Sequence, residues 1–259
     1  MFYIYILLYN NININYKSIL LYNKMDTDNN DIYNGIPKTE QCIYDNYNNF
    51  IFSNDTRVFN KMIKRTELYL NTKDMIGDIL EFGVFKGASV GLWIKLLKMY
   101  EPNSITKVIG FDYFDSTELI NGLDGLQKSM MTSVVNRVND TDLLINSVIN
   151  NLQIIDPTKF ILIKGDAVKT SKTFITNNPG IKIKLLYMDL DVGEPTYLIL
   201  LELWDKVCVN GIIVFDEYAY HKWDESIGVD KFLKSIEGKY ILYPTNVFSP
   251  TAYIKKIAM

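Results

Sequence analysis

Residues 78–100, DILEFGVFKGASVGLWIKLLKMY, change their period halfway. The run from Asp78 to Val84 is apolar, apart from its acids, and has the length of a strand. Gly83 and Gly87 then allow a tight turn and a close approach of the backbone to a ligand. From Ala88 to about Tyr100 apolar residues return at helical spacing, and Pro102 ends the helix. The glycines are spaced Gly-x-x-x-Gly, which is not the Gly-x-Gly-x-x-Gly pattern of dinucleotide binding.

Downstream the alternation continues. Strands are predicted at Lys107–Phe111, Phe160–Lys164, Lys184–Met188 and Gly211–Phe215, with helices near Val168–Thr176, Pro195–Val207 and Ile227–Ile236. Short apolar runs alternating with helices predict a parallel sheet covered on both faces. The final runs, Tyr240–Tyr243 and Ala252–Lys256, are close enough to pair antiparallel. The expectation is an α/β, Rossmann-like, mostly parallel seven-stranded sheet with an antiparallel last strand. Residues 115–157 are less regular, with helical stretches near Gln127–Arg137 and Thr141–Asn151, the second capped by Asp140. They read as a lid-like insertion in a domain spanning residues 57–259. Upstream, Val58, Phe59, Met62, Ile63 and Leu68 recur at helical spacing between Thr56 and Leu70.

Residues 1–56 read as a largely irregular arm. MFYIYILLY is apolar for only nine residues and has no Lys or Arg before Lys17, so it is too short for a membrane span and lacks a signal's positive start. Met25 opens an ordinary polar N-terminus, so residues 1–24 are candidates for a segment preceding the true start. With 48% hydrophobic and 22% charged residues, wholesale disorder is excluded. The net charge of −3 supplies no field for nucleic acid. Cys42 and Cys208 form no zinc spacing, and the single histidine, His221, excludes sites built on two imidazoles. A reducing, cytoplasmic setting without a membrane partner is expected.

In an open parallel sheet, ligands bind at the carboxyl ends of the strands. Glu81 ends the first strand beside the glycine turn; it either meets the ammonium of a bound amino-acid moiety or braces the turn. Asp112, in GFDYF at the end of the second strand, is placed to accept ribose hydroxyls. Gly165 and Asp166, in KGDA, sit where an adenine amino group would need an acceptor, although Gly-Asp is also a common turn pair. Asp189, Asp191, Asp216 and Glu217, in MDLDVGEPT and FDEY, gather at the ends of the fourth and fifth strands. Carboxylates so grouped repel one another unless a cation intervenes, and oxygen-only ligands suit Mg²⁺, Mn²⁺ or Ca²⁺. Otherwise they are solvated turn acids.

EFGVFKGAS, GFDYF, MDLDVGEPT and GIIVFDEY, in this order, resemble the macrocin O-methyltransferase family over roughly residues 57–240. Those are class I, metal-dependent enzymes that methylate sugar hydroxyls. The resemblance implies a class I methyltransferase fold and S-adenosylmethionine as cofactor. It places Glu81, Gly83, Gly87 and Ser89 about the methionine part, Asp112 on the ribose, and Gly165, Asp166 and Ala167 at the adenine. It implies Mg²⁺ or Mn²⁺ on Asp189, Asp216 and Glu217, a small-molecule sugar or nucleotide-sugar acceptor, and a homodimer by analogy. Two positions depart from the family: Glu217 replaces an aspartate, and Gly193 replaces a tyrosine. The lysine base of the related catechol enzymes aligns with Val192 and is absent.

A metal-coordinated sugar hydroxyl would attack the sulfonium methyl in line. Asp189 and His221 are the candidate catalytic residues; His221 has an unperturbed pKa near neutrality, yet it is equally a surface histidine. Trp223 either stacks on a sugar or belongs to the core. The rival readings are a nicotinamide-dependent oxidoreductase, which the glycine spacing disfavours, and a non-catalytic binding module, which Glu217 and Gly193 keep open.

Overall fold

The computed structural model describes residues 38–136, 138–139 and 143–258. The expectations for residues 1–24 and for Asp140 as a cap fall outside them. The chain divides into two units, Met1–Asp55 and Thr56–Met259. In the first, the arm expected to be largely irregular carries helix α1, Lys38–Ile51.

The second unit opens with α2 (Thr56–Leu70). It continues through β1 (Asp78–Phe82), α3 (Ala88–Tyr100), β2 (Val108–Asp112), α4 (Ser116–Asn121), α5 (Gly125–Val135), α6 (Ile145–Ile155) and β3 (Phe160–Lys164). Then come α7 (Ala167–Asn177), β4 (Ile183–Met188), α8 (Gly193–Leu203), β5 (Val207–Phe215), α9 (Glu225–Ser235), β6 (Tyr240–Pro244) and β7 (Ala252–Lys256). The seven strands form one sheet in the order β3-β2-β1-β4-β5-β7-β6. The first five are parallel, and β7 runs antiparallel between β5 and β6. Strand order reverses direction between β1 and β4, which opens a crevice at their carboxyl ends.

Alternation along each strand splits the core in two. Leu80, Phe82, Ile109, Phe111, Leu186, Met188, Ile213 and Phe215 pack against α7, α8 and α9. Ile79, Val108, Leu185, Tyr187, Ile212 and Val214 face α2, α3 and α6. The Phe82 and Phe111 rings stack with centroids 4.5 Å apart, and burying each is worth roughly 1.5–3 kcal/mol.

Two expectations need correcting. The 115–157 region is not one lid: α6 packs in the core through Val148 and Leu152, and only Met131, Val135 and Leu143, with Trp223 against them, form a separate small cluster. Helix α2 forms as predicted but is rotated. Val58, Met62 and Ile63 are exposed, while Lys61 and Arg65 face the ends of β4 and β5. Buried carboxylates left without counter-charge cost more than partly exposed apolar side chains do.

Candidate active site at the carboxyl ends of β1, β4 and β5

Tyr187, Asp189 and, one strand over, Val214 and Asp216 share the sheet face that α2 covers, because each pair is two residues apart. Asp216 is 1% exposed and takes donors on both oxygens. Lys61 Nζ stands 3.0 Å from Oδ2, and Ser249 Oγ donates to the same oxygen at 2.6 Å. The Tyr187 hydroxyl donates to Oδ1. Arg65 spans the strands. Its Nε donates to the Tyr187 hydroxyl at 3.0 Å, its guanidinium carbon lies 4.7 Å from that ring's centroid, and Nη2 is 3.5 Å from Asp189 and 3.6 Å from Asp216. Neither Lys61 nor Arg65 is singled out by apolar spacing. The available signal was a pair of cations four apart, hence on one face of a predicted helix.

These two cations do not balance the acids. Burial alone would raise the Asp216 carboxyl, but Lys61 and then Arg65 more than offset this and hold it below its ordinary value. Burial and then the Asp216 charge push Asp189 well up, Asp191 to about 7 and Glu217 to about 8. Glu225, at the start of α9, is likewise raised by burial and then by Asp191. One acid thus takes the anionic state and its neighbours favour the proton.

On the cofactor side, Gly83 lies at the strand-order reversal, where a Cβ would stand 1.8 Å from the Asp189 carbonyl oxygen. Gly87 begins α3 with φ 83°, and its Cβ would meet Val148. Glu81 is fully buried. Its oxygens accept from Ser89 Oγ and from Trp93 Nε1, the latter at 2.6 Å, so Glu81 and Ser89 satisfy each other as a turn brace. Asp112 accepts backbone N–H bonds from Phe85 at 2.8 Å and Phe114 at 3.1 Å. Gly165, with φ 127°, precedes Asp166, whose carboxylate accepts from the N–H of Val168 and Lys169 as the N-cap of α7. Asp166 therefore serves as the turn-and-cap residue weighed against the adenine role, and Ala167 joins the core. Phe85, Phe114, Asp191 and Ala219 all have positive φ. These four follow β1, β2, β4 and β5, and such strain collects where a loop's shape is needed for a ligand.

His221 is exposed, with its ring 5.3 Å from that of Tyr220. Trp223 is half-buried against the small cluster of α5, in keeping with the core reading. Gly193 explains its own departure from tyrosine. A Cβ there would lie 2.6 Å from the Asp224 carbonyl, and one on Gly228 of α9 would lie 1.9 Å from the Gly193 carbonyl. The two helices cross too closely for any side chain.

Among the described residues, no group of three or more His, Cys, Asp or Glu side chains is arranged to hold a metal ion. Asp216 is paired with Lys61, Ser249 and Tyr187. The chemistry of Asp189, Asp216 and Glu217 nevertheless fits a hard dication: the donors are all oxygens, and Glu217 Oε2 is buried without a hydrogen-bond partner among the described residues.

No family model and no curated protein matches the chain. Solved structures do. An apo structure of CalS11, described as a TDP-rhamnose 3′-O-methyltransferase of calicheamicin biosynthesis, is 26% identical, with TM-score 0.60, over 85% of this chain and 86% of its own. A second CalS11 structure, described as a calicheamicin methyltransferase, is 24% identical with TM-score 0.64 over the same shares. The O-methyltransferase NovP is 18% identical with TM-score 0.62, over 77% of this chain and 80% of its own. The chain shares the class I methyltransferase fold with them. Among the described residues, no helix is long and apolar enough to cross a membrane.

Proposed function

We propose that this protein is an enzyme that moves the methyl group of S-adenosylmethionine to a hydroxyl of a sugar or nucleotide-sugar. The observation that carries this reading is the acid cluster of Asp189, Asp191, Asp216 and Glu217, set against the β1–β4 crevice of a fold shared with CalS11. The Gly83 turn brings backbone against that crevice, and the Glu81–Ser89–Trp93 brace keeps the turn in shape for the methionine part. Asp112, already fixed by two backbone N–H groups, keeps lone pairs for the ribose hydroxyls. Asp189 is the cluster's acid that meets both solvent and cation: its side chain is 25% exposed, against 1% for Asp216. Asp189 would orient the acceptor hydroxyl and, in its ionised form, receive its proton as the oxygen takes the methyl from sulfur.

Asp189, Asp216 and Glu217 would hold a divalent cation, Mg²⁺ by donor type, which supplies a lowered acceptor pKa and a fixed orientation. The crowding that leaves Asp189 and Glu217 favouring the proton, and the unpartnered Glu217 Oε2, support this. His221 stays a second candidate base, from a loop that follows β5 directly. The test is methyl transfer to sugars, TDP-rhamnose included, followed by mass spectrometry with Mg²⁺ and with chelator. A mass gain of one methyl on a sugar acceptor is expected, falling sharply in chelator. Methylation of no sugar, with S-adenosylhomocysteine still bound, would refute the acceptor class.

A further inference from the structure

We propose that Lys61 and a divalent cation compete for the same carboxylate oxygen of Asp216, the ammonium holding it in the metal-free protein and leaving when the ion enters. This rests on the divalent-cation reading above. Lys61 and Arg65 stand four residues apart on one face of α2, but the structure ties them differently. Arg65 has an 11% exposed side chain, stacks on Tyr187, donates to its hydroxyl and lies near two acids. Moving it would break all of these at once.

Lys61 is 34% exposed along its side chain; among the described residues its one hydrogen bond to the cluster is to Asp216, and the other acids act on it through charge alone. A long lysine stem that already reaches solvent can swing outward into water, and the entering ion then replaces its charge beside Asp216. Oδ2 of Asp216 then keeps Ser249, and Oδ1 keeps Tyr187, so the carboxylate stays aimed. A dication binding Asp216 would sit within a few ångströms of an unmoved ammonium and repel it; Lys61, less tied than Arg65, is the cation that yields. The protein thus carries its own monovalent substitute at the ion's place, and the ion's affinity is set by what it displaces.

The experiment titrates the full-length protein with Mn²⁺ by calorimetry, as wild type and as Lys61→Met, with S-adenosylhomocysteine binding as the folding control. Removing the competitor is expected to tighten Mn²⁺ by about tenfold or more, since the ion no longer displaces an ammonium from a buried carboxylate. The metal-free variant should melt lower than wild type, with the gap closing at saturating Mn²⁺. In wild type, amine-directed labelling of Lys61, read by mass spectrometry, should rise when Mn²⁺ is added. Equal or weaker Mn²⁺ binding by Lys61→Met, or labelling that Mn²⁺ leaves unchanged, overturns the competition while the metal reading stands. No Mn²⁺ binding by either protein removes both.

Discussion

A Cβ on Gly83 would stand 1.8 Å from the carbonyl oxygen of Asp189. That relationship ties the turn after β1 to the first acid after β4, so the two halves of the crevice are built against each other. Gly83→Ala combines this clash with backbone and a residue at φ 91°. It should cost roughly 3 kcal/mol or more. Urea unfolding measures it; a variant within about 1 kcal/mol of wild type would mean that the strands tolerate separation here.

Asp216→Asn removes the anion that Lys61 and Arg65 neutralise. A buried ion pair broken from one side typically costs about 3–5 kcal/mol. The variant should therefore lose stability along with activity, and adding Lys61→Met should recover part of the stability. A double-mutant cycle with no coupling between the two positions would contradict the pairing.

Asp112→Ala should weaken S-adenosylhomocysteine by about 1.5–3 kcal/mol, read by calorimetry. The melting temperature should fall too, because the same carboxylate holds the N–H groups of Phe85 and Phe114 at their positive-φ turns. A loss of stability with unchanged affinity would leave Asp112 as a turn brace only.

Glu217 has its pKa pushed to about 8 by burial and then by Asp216 and Asp191. The folded protein therefore holds this proton at pH values where the unfolded chain has released it. Stability in chelator should fall as pH rises from the ordinary glutamate range toward about 8. Mg²⁺ displaces that proton, so it should stabilise more at pH 8 than at pH 6. Thermal melts across that range check both, and Glu217→Gln should flatten the chelator slope; a rise in stability with pH would reverse the assignment.

The fold was legible because strand and helix periods are local. Ala88–Tyr100, Phe160–Lys164 and Ala252–Lys256 form at the bounds their patterns predict. The acids were legible because strand ends can be counted. What was hidden depends on distant partners. Of the apolar positions spaced along α2, Leu68 is buried but Val58, Met62 and Ile63 are exposed, because the charge at Asp216, 155 residues from Lys61, draws the cations inward. Asp166 reads as an adenine acceptor or, with more weight, as part of a Gly-Asp turn; its capping of α7 through the N–H of Val168 was not legible. Gly193 looks like a lost contact until the crossing with Gly228 is seen.

Helix α2 precedes the first strand and lies outside the repeating strand-helix frame, yet it brings Lys61 and Arg65, which hold Asp216 anionic. A fragment that keeps counter-charge at Asp216 is thus set by charge and not by topology: it must include α2, from Thr56. A version trimmed to the sheet at Asp78 would keep every strand and every cofactor residue. It would bury Asp216 beside its protonated neighbours with no positive partner from the chain, and it would depend wholly on the solution to supply one.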